Sequence, residues 1–115
     1  MHDLDNKKTP TLFQMVSSLE GIIEMASKDV WISGVTMDSR LVAPGSLFVA
    51  VVGGARDGHD FILDAIRRGA AAVVGERPLQ EIATEAQQVP YLRLEDSRQG
   101  LAFLSASFHN FPARR

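Results

Sequence analysis

Two short polar turns carry the residues of this chain that are best suited to chemistry. The first turn is Asp38-Ser39-Arg40, and the second turn, residues 53–59, reads Gly-Gly-Ala-Arg-Asp-Gly-His. Their hydroxyl, backbone amide and guanidinium groups are the donors that hold phosphorylated ligands. Apolar, strand-like runs precede the turns, at residues 35–37 and 47–52. If these runs pair in one sheet, the two turns meet and form one binding site.

Each turn also has a purely structural interpretation. Asp38 and Arg40 would then pair across the first turn, while Ser39 satisfies a nearby backbone group. The glycines of the second turn would only supply positive φ angles. His59, which precedes a predicted helix, would pack or cap instead of meeting an anion. The residues alone therefore leave two alternatives open, a ligand site and two ordinary loops of an α/β domain.

Other polar residues do not have the spacing that catalysis or metal binding requires. Asp57 and Asp60 lack a nucleophile, base or metal ligand to work with, and His2 and His109 are too isolated for metal ligation. The glycine run matches neither the Walker loop nor Gly-x-Gly-x-x-Gly. We therefore expect no catalytic residue, no metal site and no ATP site in this chain.

Composition narrows the class of protein further. The chain has 115 residues, 45% of them hydrophobic, which is enough for one compact domain with its own core. Cysteine is absent, which excludes disulfides and favours a cytoplasmic location. No apolar run could span a bilayer, and a net charge of −2 with mixed signs provides no footprint for nucleic acid. A small anion is the better candidate for a partner than a membrane or a nucleic acid.

Hydrophobic periodicity predicts helices that alternate with strands. Residues 1–8 are predicted to be disordered. A first helix is predicted from a Thr9 cap with Pro10 in its first turn to about Glu20, and a second from Asp60 to the left-handed Gly69. A weaker helix is predicted at 79–86, and a last helix from Asp96 or Ser97 to Pro112. The predicted strands are residues 30–32, 35–37, 47–52, 71–74 and 90–94.

This order of elements predicts a three-layer α/β/α domain with a small mixed or mostly parallel sheet. Ligands of such sheets bind at the carboxyl ends of the strands. Both polar turns follow strands directly, so both are predicted at that edge.

An ordered series of segments resembles the N-terminal, Rossmann-like domain of the Mur ligases, and most closely the MurE-type, the UDP-N-acetylmuramoyl-tripeptide synthetases. The resemblance covers roughly residues 30–115. It rests on residues 34–40 (GVTMDSR), 44–50 (PGSLFVA), 57–62 (DGHDFI), 65–75 (AIRRGAAAVVG) and 89–91 (VPY).

The resemblance implies that residues 9–115 bind the uridine diphosphate end of a UDP-muramoyl-peptide. Matching by position implies that the contacts are Met37 and Ser39 in or next to the first turn, and Gly54, Ala55 and Arg56 in the second. It also implies that ATP and Mg²⁺ are bound by further domains of the same ligase and not by this one.

The implied reaction is the ATP-dependent addition of a diamino acid, the third residue, to UDP-N-acetylmuramoyl-L-alanyl-D-glutamate in peptidoglycan synthesis. This chain alone is expected to be inactive. Two alternatives remain. One is the N-terminal domain of the D-alanyl-D-alanine-adding ligase, and the other is a free-standing UDP-sugar-binding or interaction module.

Overall fold

Five short strands form one sheet in a computed structural model that describes residues 9–25, 28–53, 55–82 and 84–111. Their order across the sheet is β1-β5-β4-β3-β2. β2 to β5 run parallel to their neighbours, and β1 runs antiparallel to β5. The sheet is therefore mixed and mostly parallel. The strands are β1 Ile22–Glu24, β2 Gly34–Thr36, β3 Ser46–Val49, β4 Ala72–Gly75 and β5 Tyr91–Leu94.

Helices cover both faces of this sheet. α1 (Leu12–Val16) and α3 (Ser97–His109) pack on one face, and α2 (Ile62–Arg67) packs on the other. Successive side chains of β3 point to opposite faces, so Leu47 joins the core beneath α3 and Phe48 joins the core beneath α2. Every residue of β3 and of β4 is buried, which explains the unbroken apolar run in the sequence. The predicted three-layer α/β/α fold is confirmed.

The parallel pairing of β2 with β3 decides where the two polar turns lie. Gly34 is opposite Ser46, and Thr36 is opposite Phe48. Both strands therefore end at the same edge of the sheet, and the chain enters the first turn from β2 and approaches the second from β3. The expected adjacency of the two turns follows directly from this register.

The prediction for the first helix was wrong at both ends. The cap is Thr11, whose side chain accepts from the Gln14 N–H while the Gln14 side chain accepts from the Thr11 N–H. Pro10 lies before the helix, because its carbonyl accepts from Ile32 N–H in an extended pairing. The helix ends at Val16 and does not continue to Glu20.

Residues 30–32 are extended as predicted, but they form no strand of the sheet. They pair with residues 10–12, through an isolated bridge between Thr11 and Trp31 and bonds on either side of it. β1, which the sequence reading missed, occupies the edge next to β5 instead. It has only three residues, too few to show a periodic pattern.

Two helical predictions in the middle of the chain also need correction. Residues 79–86 were expected to form one helix, but they lie in two 3₁₀ turns, Leu79–Glu81 and Thr84–Gln88. The Gln87 side chain donates to the carbonyls of Leu79 and Ile82, which replaces the helical bonding there. The predicted cap Asp60 is replaced by Asp57. Asp57 caps the 3₁₀ turn Gly58–Phe61, and this turn leads into α2.

Other expected helix ends agree with the structure. Gly69 follows α2 with a φ of 107°, the left-handed conformation expected of it. Asp96 caps α3 by accepting from the N–H groups of Arg98 and Gln99. The expected disorder of residues 1–8 falls outside the described residues. The last helix ends at His109 with Asn110 as its C-cap, and so stops before the expected end at Pro112. Within the described ranges, no helix has the length and apolar character needed to cross a membrane.

Candidate functional site

An open cavity of about 650 Å³ lies where the two turns meet at the carboxyl edge of β2 and β3. Its walls come from both turns and from the 3₁₀ segment that contains Phe61. Residues that are distant in sequence therefore line the same cavity. The residues that line it are Met37, Asp38, Ser39, Arg40, Arg56 and Phe61.

The first turn is held in shape by its own acidic residue. Asp38 accepts from the Arg40 N–H at 3.0 Å and from two nitrogens of the Arg40 guanidinium, at 3.0 and 2.8 Å. The Arg40 side-chain and backbone bonds hold the pKa of Asp38 below its usual value, and the side-chain bond to Asp38 raises the pKa of Arg40. The guanidinium of Arg40 is therefore committed to Asp38, as the structural interpretation of this turn predicts.

Ser39 lies between these two residues but has a different environment. Its relative exposure is 6%, and its hydroxyl makes no hydrogen bond within the described parts of the chain. Buried hydroxyl groups almost always have a partner. A buried serine that lines a cavity without one is available to a ligand.

The second turn is closed by backbone bonds and anchored to α3. Gly58 N–H donates to the Val51 carbonyl at 3.0 Å, and Val52 N–H donates to the hydroxyl of Ser97 at 3.0 Å. A Cβ atom at Gly58 would lie 2.6 Å from the Val51 nitrogen, so this closure requires glycine. Gly53 has a φ of 120°, a left-handed conformation that also favours glycine.

Arg56 extends from the second turn across the cavity. Its guanidinium lies 5.7 Å from the centre of the Phe61 ring, within the range of a cation–π contact. No ion pair to Arg56 is found among the described residues, so its charge remains available to an anion. An aromatic face beside a free guanidinium and a buried hydroxyl suits a ligand that combines a flat ring with anionic groups.

His59 acts inside the domain and not at the cavity. Its Nδ1 is 2.6 Å from the Asp57 carboxylate, and its Nε2 accepts from the backbone N–H groups of Glu76 and Arg77. With Nε2 used as an acceptor, the ring proton belongs on Nδ1 and is donated to Asp57. His59 therefore has no free donor for an anion, and the expectation that it packs or caps is the one that holds.

Asp57 is fully used in the same network. Burial raises the pKa of Asp57, but bonds from the His59 backbone and ring, with the charge of Arg77, outweigh it and hold that pKa below its usual value. Arg77 Nη2 lies 2.6 Å from the second Asp57 oxygen. Asp57 is thus an ionised carboxylate whose two oxygens bond to His59 and Arg77.

The structure brings three of the five predicted site residues together. Met37, Ser39 and Arg56 line one cavity. Ala55 lies in the exposed part of the second turn and does not line it, while Gly54 falls outside the described residues. Phe61 lines the cavity but was not predicted as a site residue; it lies in the helix predicted to begin at Asp60. Its position just after the second turn, at the start of that helix, was the available signal.

The chain does not fit an ATP or Mg²⁺ site of its own. It has no Gly-x-x-x-x-Gly-Lys-Ser/Thr run. Over the described ranges, no group of three His, Asp or Glu side chains is placed to hold a metal ion.

Fold and cavity together define a small α/β domain with an open cavity at the carboxyl edge of a mostly parallel sheet. Residues 31–109, more than half of the chain, match the family described as "Mur ligase family, catalytic domain". The chain belongs to the Mur ligase family.

Its curated relatives are of the MurE type that the sequence motifs indicated. The chain is 48% identical over 80 residues to the UDP-N-acetylmuramoyl-L-alanyl-D-glutamate–2,6-diaminopimelate ligase of Chlorobium phaeobacteroides. It is 40% identical over 104 residues, or 90% of its length, to the enzyme of that name from Geobacillus kaustophilus. It is 49% identical over 84 residues to the UDP-N-acetylmuramyl-tripeptide synthetase of a Roseiflexus species. These matches cover only 15%, 20% and 16% of the three relatives.

A solved structure supports the fold independently. MurF from Acinetobacter baumannii superposes with a TM-score of 0.65 at 24% identity, over 86% of this chain and 21% of that one. At this level of identity the likeness concerns the fold alone.

Proposed function

We propose that residues 9–115 are the N-terminal, UDP-anchoring domain of a MurE-type ligase. The complete enzyme would add a diamino acid to UDP-N-acetylmuramoyl-L-alanyl-D-glutamate in an ATP-dependent reaction. The names of the relatives from Chlorobium and Geobacillus support this substrate, and they support 2,6-diaminopimelate as the amino acid added.

The buried hydroxyl of Ser39, which has no hydrogen-bond partner among the residues that the structure describes, is the observation that carries this proposal. Ser39 lines the same cavity as the Phe61 ring and the guanidinium of Arg56, which has no ion pair within the described ranges. Ser39 would donate to a diphosphate oxygen, and Arg56 would neutralise part of the phosphate charge. Met37, Gly54 and Ala55 would complete the contacts, the latter two through backbone groups that meet the uracil edge.

The proposed role of this domain is to hold one end of the substrate while chemistry proceeds elsewhere. The chain spans about a fifth or less of the length of the relatives it matches. ATP and Mg²⁺ would be bound by the remaining domains of the ligase. The contribution of this chain to the reaction is then positional, since a firmly held nucleotide limits the freedom of the attached peptide.

A titration of the 115-residue chain with UDP, followed by amide chemical shifts, tests the proposal. ADP is the matched control, because it carries the same diphosphate on a purine. We expect UDP to shift amides of residues 37–40 and 53–59, and ADP to shift them less. Equal responses to both nucleotides, or UDP shifts confined to other surfaces, would contradict a uridine site at this cavity.

Translation of the gene beyond Arg115 tests the assignment to a ligase. A Gly-x-x-x-x-Gly-Lys-Ser/Thr run shortly after this point would support it. A stop codon there would favour the free-standing binding module instead. Assay of the complete protein with D-alanyl-D-alanine and with 2,6-diaminopimelate as acceptors distinguishes the MurE-type reaction from that of its D-alanyl-D-alanine-adding sibling.

A further inference from the structure

The last residue of β4 and the loop that follows it, residues 75–77, are bound by side chains from two other elements, the 3₁₀ turn that holds His59 and β5. The backbone N–H groups of Glu76 and Arg77 donate to His59 Nε2, at 2.9 and 3.3 Å. The Arg77 carbonyl accepts from the Tyr91 hydroxyl at 2.7 Å, and the Glu76 carbonyl accepts from Arg93 Nε at 2.8 Å. Four hydrogen bonds with three side chains thus hold the backbone of this loop.

Side chains of the same loop reach back to both ends of the second turn. Arg77 bonds to Asp57 at the end of the turn. Glu76 accepts from the backbone N–H of Ser97 at 2.7 Å, and the hydroxyl of Ser97 in turn accepts from Val52 just before the turn. The loop therefore fixes the two points between which the second turn is suspended.

Packing leaves little freedom at the start of this loop. A Cβ atom at Gly75 would lie 2.6 Å from His59 Nε2 and 2.5 Å from the Tyr91 hydroxyl oxygen. Any larger side chain at Gly75 must displace the ring of His59, whose side chain is completely buried. His59 is thereby held against the loop on one side and against Asp57 on the other.

We propose that His59 and Arg77 are positioning residues, which transmit the geometry of the loop at 75–77 to the second turn and so set the placement of Arg56. Neither residue lines the cavity. This inference rests on the proposed function where it concerns UDP, because that function gives the second turn its ligand. The arrangement of the turn itself does not depend on it.

An arginine substitution with a matched control tests the proposal. Arg77→Met removes the bond to Asp57, and Arg68→Met removes an exposed pair with Asp64 at the carboxyl end of α2, outside the second turn. The side chains of Arg77 and Arg68 are 43% and 46% exposed, so each substitution removes an arginine of similar solvent exposure. We expect Arg77→Met to speed amide exchange at residues 55–57 in the ligand-free chain and to weaken UDP binding about threefold or more. Arg68→Met should leave amide exchange at residues 55–57 unchanged, and Arg77→Lys should partly restore both properties.

A glycine pair acts on the network from inside the domain. Gly75→Ala should disturb the ring of His59 and change the amide shifts of residues 55–57 while leaving those of residues 38–40 unchanged. Gly34→Ala is the control, since a Cβ at Gly34 meets nothing within 4 Å. If Gly75→Ala fails to fold, the arginine pair decides alone.

The outcomes separate the two proposals. Equal exchange at residues 55–57 in Arg77→Met and Arg68→Met would overturn the positioning role, whatever happens with UDP. If Arg77→Met speeds amide exchange at residues 38–40 as much as at residues 55–57, the positioning role is also overturned, because the substitution would then have loosened the domain in general. If the unaltered chain fails to bind UDP, the proposed function fails, and the positioning role is judged on exchange alone.

Discussion

Replacement of Ser39 by alanine should separate ligand binding from stability. The serine is 6% exposed and its hydroxyl bonds to nothing in the described structure, so alanine removes no internal hydrogen bond. The free energy of unfolding should therefore change by less than about 1 kcal/mol, and loss of an unpartnered buried hydroxyl favours a slight gain. Most buried serines would show the opposite behaviour.

The same substitution should have a large effect on UDP. A hydrogen bond to a charged oxygen contributes about 1.5–3 kcal/mol, which corresponds to at least a tenfold loss of affinity. Since the rest of a complete ligase would supply most substrate contacts, we expect the unaltered chain to bind UDP with a Kd of about 1 mM, ~4 kcal/mol. Ser39→Ala should raise that value to about 10 mM or above.

The assay is a chemical-shift titration with UDP beside a thermal melt without ligand. Ser107→Ala, on α3 and away from the cavity, is the matched control and should change neither result. An unchanged UDP affinity in Ser39→Ala would refute the role given to this hydroxyl. A clear fall in melting temperature would refute the structural reasoning, because it would show that the hydroxyl has an internal partner.

Three further predictions concern the ion pairs and the single tyrosine. Arg40→Ala should lower the melting temperature by only a few degrees, because the Arg40 side chain is 81% exposed and solvent screens its pairing with Asp38. A loss of UDP binding at an unchanged melting temperature would instead make Arg40 a ligand contact. The lowered pKa of Asp57 contributes stability above its ordinary value of 3.8 that is lost as the pH falls below it, so acid unfolding of Asp57→Asn should show a weaker pH dependence. Burial raises the pKa of Tyr91 to about 12. The neutral, buried phenol therefore contributes stability that is complete below pH 10.0 and is lost as the pH rises towards 12. Ultraviolet titration reports Tyr91 directly, since the chain has one tyrosine, and ionisation near pH 10 in the folded state would contradict its burial.

Local sequence signals were sufficient for the parts of the fold that depend on burial and caps. The unbroken apolar run at 47–52 predicted a strand, and its residues 47–49 lie in β3, which is buried throughout and ends at Val49, before residue 52. Asp96 and Gly69 were identified as helix ends because their caps act on neighbouring backbone groups. The three-layer order followed from the alternation of these elements.

Long-range pairings could not be predicted in the same way. The extended segment at 30–32 bonds to residues 10–12, and nothing in its own residues distinguishes that partner from the sheet. Phe61 has the appearance of a core residue in sequence, and it does pack on the α2 side, yet its ring also forms a wall of the cavity. The use of His59 as an acceptor depends on a loop 17 residues away in sequence.

The closure of the second turn has a consequence for how this domain could be altered. The bond from Gly58 to Val51 and the anchor from Val52 to Ser97 lie outside residues 53–56 and use backbone atoms of the turn segment only. Residues 55 and 56 are therefore exchangeable within a fixed frame, while Gly53 keeps the left-handed conformation that favours glycine. Other side chains at these two positions should change which ring and which anionic groups the cavity accepts, with no redesign of the core. The bonds that hold the second turn in shape thus do not fix which ligand the domain prefers.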